Sequence, residues 1–280
     1  MKLIFQVNDY LLAWNLLYGA SISQKVHNFK QKLWTTYKRK YNVGNKDKEE
    51  MLCDIKNYIP NDDTLYNMVF ETDLFESIKK ETEEHRLALM KIWDKSKKDV
   101  VKNVDDILRF PLLKEYNIIV FHPKMDSYLT SNQCKTNLGW GFKNDLEDKM
   151  MTLTNIMYTI IKTEMSEFEK ENKAFKEIVQ AILELAIHNE LYTRLSGKSN
   201  YLDGDKTLTF LKRQIYPYWL MYLGCDREDM THYMMRDKVV FDIEDYTIEK
   251  ELKKVNLYDF IKFCIKNQKY IIRINSLEII

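Results

Sequence analysis

The sequence predicts a predominantly helical α+β protein with a small mixed or antiparallel sheet. Three observations carry this expectation. Glycine and proline are scarce, 7 and 4 among 280 residues, so little interrupts long periodic stretches. Apolar residues recur at helical spacing through most of the chain. A few short β-branched runs stand apart, led by "YNIIVFHP" (Tyr116–Pro123), which is stopped by proline.

From Asp9 to about Leu108 the pattern is helical, with breaks at Asn42–Lys48 and Tyr58–Asp63. Asn61, Asp62 and Asp63 are expected to cap a helix starting near Thr64. Leu74–Leu108 reads as one or two long helices whose glutamates precede lysines and arginine at helical spacing, the pattern of a solvated face. After Pro111 the texture changes: a strand at Tyr116–Pro123, then "NLGWGF" (Asn137–Phe142), where two glycines flank Trp140. Helix returns at about Leu146–Met165, Phe168–Leu195 and Thr207–Gly224, the last carrying Pro217 inside it or at its start. Asp237–Ile243 reads as a strand, and Asn256–Ile280 as a helix followed by a strand. The domain reading is an N-terminal helical region, 1–110, followed by 111–280, or one continuous domain.

Lys and Arg number 43 against 42 Asp and Glu, so no global field draws the protein to nucleic acid or to anionic lipid. Neither is expected as a partner. No apolar run approaches the roughly 20 residues that span a bilayer, and Gln6, Asn8, Asp9 and Asn15 break the apolar N-terminus as a leader peptide. Cys53, Cys134, Cys225 and Cys264 lie far apart with no CxxC pair. They are expected as free thiols in a reducing cytoplasm.

The helix at "LAIHNELYTRLSG" (Leu185–Gly197) raises the functional question. Projected at about 100° per residue, Glu177, Gln180, Glu184 and His188 form one narrow stripe, assigned to solvent. Phe175, Ile178, Val179, Ile182, Leu183 and Ala186 lie opposite, and Asn189, Glu190 and Thr193 fall on that apolar side. Burying such groups without partners costs about 1–3 kcal/mol each. The trio is therefore expected to be paired or to face a cavity. In one reading Asn189 and Thr193 bond to each other or cap a loop, while Glu190 pairs with Arg194 or Arg213. In the other they line a cleft.

In the register that fits, Asn189 and Thr193 stand where a His-Glu-x-x-His helix has its two histidines, and Glu190 stands at the glutamate. With "NLGWGF" upstream, at the place of an edge strand, and "RQIYPYWLMYLG" (Arg213–Gly224) downstream, the chain from about Asn117 to Gly224 resembles a gluzincin-type zinc metallopeptidase. The resemblance implies a zincin-like region within 111–280. In that family the glutamate polarises the attacking water and the downstream helix supplies a third ligand. The departures decide the chemistry. Asn189 and Thr193 are poor zinc donors, and no acidic residue occurs between Lys206 and Gly224.

The resemblance therefore implies no metal ligands and no cofactor. Its function would be non-catalytic binding of a peptide or protein partner in the old cleft, lined by Asn189, Glu190, Thr193, Trp140, Tyr216 and Tyr218. One alternative is an active hydrolase with atypical zinc ligands and Glu190 as general base. Another is a helical interaction or scaffold protein with no cleft. A rotated register, with Glu184, His188 and His122 or His232 as ligands, is disfavoured because the projection turns that pair to solvent.

"KQKLWTTYKRKY" (Lys30–Tyr41) interleaves cations and aromatics, a composition suited to single-stranded nucleic acid. The favoured reading is an amphipathic helix with Leu33, Trp34 and Tyr37 inward and its lysines reaching water. Gly-Lys-Ser at 197–199 lacks the upstream glycine and strand of a phosphate loop, and reads as a connection between helices.

Overall fold

A computed structural model describes residues 1–125, 127–142, 146–198, 204–226 and 247–271. The described residues are 69% helical with a small mixed sheet of four strands, the predominantly helical α+β class that the composition predicts. It divides into two compact units: Met1–Lys97 with Leu112–Glu164, and Lys98–Pro111 with Met165–Ile280.

The first unit holds the sheet. The N-terminal apolar run forms β1 (Lys2–Gln6), with Leu3 and Phe5 turned inward at the strand period of two. It pairs in parallel with β2 (Glu115–Val120), from Lys2 opposite Glu115 to Gln6 opposite Ile119. β3 (Ser127–Leu129) and β4 (Asn137–Gly141) complete the order β1-β2-β4-β3. β4 runs parallel to β2, and β3 folds back antiparallel along its other side. "NLGWGF" is thus an interior strand and not an edge, because β3 covers the side that an edge would leave open. A glycine is needed at 139: a Cβ there would lie 2.5 Å from Phe121 Cε2 and 2.9 Å from Leu129 Cβ.

Six helices belong wholly or partly to this unit: α1 (Asp9–Tyr18), α2 (Gln24–Gly44), α3 (Lys48–Cys53), α4 (Thr64–Phe70), α5 (Asp73–Leu108) and α6 (Lys149–Glu164). Asn8 caps α1, its Oδ1 accepting the Leu11 N–H at 2.9 Å. Every residue of α1 from Leu11 to Leu17 is buried, all of them apolar except Asn15. Around it pack Val26, Leu52, Tyr66, Val69, Phe75, Ile119 and Phe121. α4 begins at Thr64 as expected, and Asp62 Oδ1 accepts the Thr64 N–H at 3.1 Å. The charge-rich stretch is one 36-residue helix, α5.

The cysteine expectation is corrected here. Cys53, at the end of α3, and Cys134, in the loop before β4, form a disulfide with Cα atoms 5.3 Å apart. The two are 81 residues apart in sequence, and only the packing of α3 beside β4 brings them together. Cys225 and Cys264 are not disulfide-bonded, and burial pushes the Cys264 thiol up.

The second unit is helical throughout its described residues. α7 (Ser166–Glu171) and α8 (Lys176–Glu184) lead into a π-helical segment, Leu185–Leu191, and then α9 (Tyr192–Ser196). α10 (Thr209–Leu223) contains Pro217 in its interior and ends at Gly224, whose φ of 109° is open to glycine at low cost. α11 (Thr247–Leu252), α12 (Leu257–Lys266) and α13 (Gln268–Ile271) follow. Asn256 caps α12 through the Asp259 N–H, at 3.0 Å. The core is aromatic: Trp219 stacks on Tyr222 at 5.1 Å, and Phe260 packs on both. The strand expected at Asp237–Ile243 and the one expected at the end of the chain lie outside the described residues.

Candidate functional site

The residues in question sit on the continuous helical rod formed by α8, the π-helical segment and α9. A π-helix closes i→i+5 hydrogen bonds, so each turn takes more residues than an α turn. The 100° projection therefore slips from Leu185 onward. Asn189 is nevertheless inward, at 5% exposure. Glu190 and Thr193 are half-buried.

Glu190 has the partner that one sequence reading anticipates. Arg194 Nε donates to its Oε1 at 2.6 Å, one turn along. Tyr216, half-buried on α10, feels that carboxylate: burial first, and then the charge of Glu190, raises its phenol above the ordinary value. Tyr218 is buried and packs on Phe263, with ring centres 5.9 Å apart. Trp140 belongs to the first unit, buried in β4 with its ring 4.6 Å from that of Phe142.

The solvent stripe is corrected at two positions. His188 is half-buried. Glu184 is buried, and it anchors a polar cluster. Lys212 Nζ donates to Glu184 Oε2 at 2.9 Å, and the Asp205 N–H approaches both carboxylate oxygens at 3.0 and 3.1 Å. Gly204 makes this approach possible. Its φ is 113°, and a Cβ there would lie 2.3 Å from Glu184 Oε2. The reason for the correction is non-local. Residues 204–212 cover the side of α8 that the projection, blind to the rest of the chain, turned to water.

His122, the distant ligand of the rotated register, is engaged within the first unit. Its Nε2 lies 3.1 Å from Glu81 Oε2, and its Nδ1 accepts the Lys124 N–H at 3.2 Å. These two bonds assign the proton to Nε2 and occupy both ring nitrogens. Burial holds the imidazole below its ordinary value, with Glu81 opposing part of the shift. Among the described residues, no group of three or more His, Cys, Asp or Glu side chains is gathered where it could hold a metal ion. No described helix is long and apolar enough to cross a membrane.

Sequence reasoning missed three pairings: Glu184 with Lys212, His122 with Glu81, and Cys53 with Cys134. Only the first left a local trace, Gly204 followed by Asp205, whose backbone N–H reaches Glu184. Comparison with protein-family models, with curated proteins and with solved structures found no match.

Proposed function

We propose that this protein acts by binding a peptide or protein partner and not by hydrolysing it, with Glu190, Thr193, Arg194 and Tyr216 as the contact surface. The observation that carries this reading is the Glu190–Arg194 ion pair, 2.6 Å long and part-exposed at 24% and 29% of the two side chains. A general base must reach a water or a substrate proton. Here the carboxylate is held by a guanidinium of its own helix. A part-exposed pair of this kind offers a partner a planar donor fork beside an acceptor, and the Thr193 hydroxyl and Tyr216 phenol add groups that both donate and accept. The π-helical turn beneath them is a feature that recurs at functional sites. Descent of this surface from a gluzincin-type cleft, with its zinc ligands replaced, is part of the same proposal. Asn189 then lies too deep to be a contact.

A peptide library displayed on phage and selected on the full chain tests this. Clones are expected whose affinity falls roughly tenfold, about 1.4 kcal/mol, with Arg194→Ala or Thr193→Ala. Stoichiometric zinc bound at this helix, or peptide hydrolysis that Glu190→Gln abolishes with folding intact, would overturn the reading in favour of a hydrolase. Selected clones indifferent to all four residues would favour a helical scaffold that works through another face.

A further inference from the structure

Helix α2 has a one-sided charge that the near-neutral whole chain conceals. It carries Lys25, Lys30, Lys32, Lys38, Arg39 and Lys40 and no aspartate or glutamate. Two of these cations are engaged: Lys40 with Asp62 at 3.0 Å, and Lys30 with the Gly19 carbonyl. Lys25, Lys32, Lys38 and Arg39 are exposed and have no ion-pair partner among the described residues. From Lys25 to Arg39 the run covers roughly 21 Å of helix, with a bend at Tyr37, where φ is −126° and ψ 37°.

An aromatic ring lies beside Lys38, across the exposed side of the helix from Lys25 and Lys32. Trp34 was expected to face inward, but it is 43% exposed, and the Lys38 ammonium sits 5.1 Å from its ring centre. The reason is geometric. Val26 and Leu33 hold the centre of the buried stripe, and the residue next to Leu33 is rotated about 100° away from it.

We propose that the exposed side of α2 binds single-stranded nucleic acid, with Lys25, Lys32 and Arg39 on phosphates along one flank and Trp34, across the helix beside Lys38, as a stacking platform for a base. A row of unpaired cations on one flank with an indole across from it matches the pairing of phosphate contacts with base stacking by which single strands are held. A membrane surface fits less well. An interfacial helix dips an apolar face into lipid, whereas the apolar face of α2 is already buried on the core at Val26, Leu33 and Gly44. The inference replaces the expectation, drawn from overall charge, that nucleic acid is not a partner. It concerns a different unit from the proposed peptide surface, so either can fail without the other.

The test is fluorescence anisotropy of labelled oligo-dT and oligo-U, roughly 16 nucleotides long to cover one site, titrated with the full chain. Binding is expected to be tightest at low salt and to weaken steeply between about 50 and 200 mM. Lys25→Gln/Lys32→Gln/Arg39→Gln is expected to weaken it more than tenfold and to flatten the log–log salt slope by about 2, at roughly 0.7 per lost phosphate contact. Trp34→Ala should lose several-fold, and Trp34→Phe should retain most of the affinity. These side chains are exposed, so circular dichroism should be unchanged in every variant. Four results would overturn the proposal: no binding at the lowest salt, equal binding by the triple variant, equal affinity for a duplex of the same length, or tighter binding to phosphatidylserine vesicles than to either oligonucleotide.

Discussion

Lys212 and Glu184 meet at 2.9 Å with both side chains buried, inside a unit whose other large buried side chains are mostly aromatic and aliphatic. A buried ion pair persists when its remaining hydrogen-bonding capacity is satisfied. The Asp205 N–H supplies the carboxylate with a further donor, and Gly204 permits the close approach. The pair thereby fixes where the 204–208 segment and the start of α10 dock on α8.

Lys212→Met should destabilise the protein by about 3 kcal/mol or more, because it leaves a buried carboxylate without its counter-ion. Glu184→Leu combined with Lys212→Met should recover part of that loss. Recovery stays incomplete because the Asp205 N–H is left without its acceptor. Urea unfolding of the single and double variants measures both effects.

The Cys53–Cys134 bond closes a loop over a sequence separation of 81 residues. Loop-closure entropy for that length corresponds to about 4.5 kcal/mol. Cys53→Ser/Cys134→Ser should lower the denaturant midpoint accordingly, and a dithiol reductant should shift the wild type toward the double variant while leaving the variant unmoved. Thiol counting of the unfolded chain, before and after reduction, should read two and then four cysteines.

His122 makes stability depend on pH in a stated direction. Its folded value lies below the ordinary 6.5, chiefly through burial. The unfolded ring takes up a proton near that ordinary value, and the folded ring does so only at lower pH. In between, the unfolded state binds more protons, so stability is full above about pH 6.5 and falls as pH drops toward the folded value. Urea midpoints at about pH 7.5 and about pH 5.5 should differ more for the wild type than for His122→Gln.

Arg109 clasps the ends of two helices. One guanidinium nitrogen donates to the Lys253 and Val255 carbonyls at 2.9 and 3.3 Å, the other to the Tyr222 carbonyl at 2.6 Å, and the group lies 4.1 Å from the Tyr222 ring centre. A cation is favoured there because carbonyls at helix C-termini carry partial negative charge. Arg109→Ala should cost about 2–4 kcal/mol through lost charged hydrogen bonds and ring contact. Arg109→Lys should not restore it, since an ammonium lacks the planar fork. Thermal unfolding of the two variants separates these outcomes.

Composition and periodicity determined the helical class, the start of α4 at Thr64, the long helical stretch from Leu74 to Leu108 and the strand at β2, because each depends on neighbours a few residues away. The same local logic found the inward turn of Asn189 and one of the two arginines offered to Glu190, since Arg194 lies one helical turn on. It failed wherever a partner comes from a distant part of the chain. β1 was passed over because a three-residue apolar run, Leu3–Phe5, becomes a strand only when β2 pairs with it. Glu184 was assigned to water because nothing within one turn announces Lys212. Trp140 was placed at an edge because β3 had not been seen to cover it. The cysteines were read as free because sequence spacing says nothing about which helix lies beside which strand. Even Trp34, well inside a recognisable amphipathic pattern, turned outward because the stripe is narrow and Leu33 takes its centre. Periodicity sets which residues share a face, but only the packed chain decides what covers that face, and for buried charge, sulfur and exposed indole the cover is what determines the chemistry.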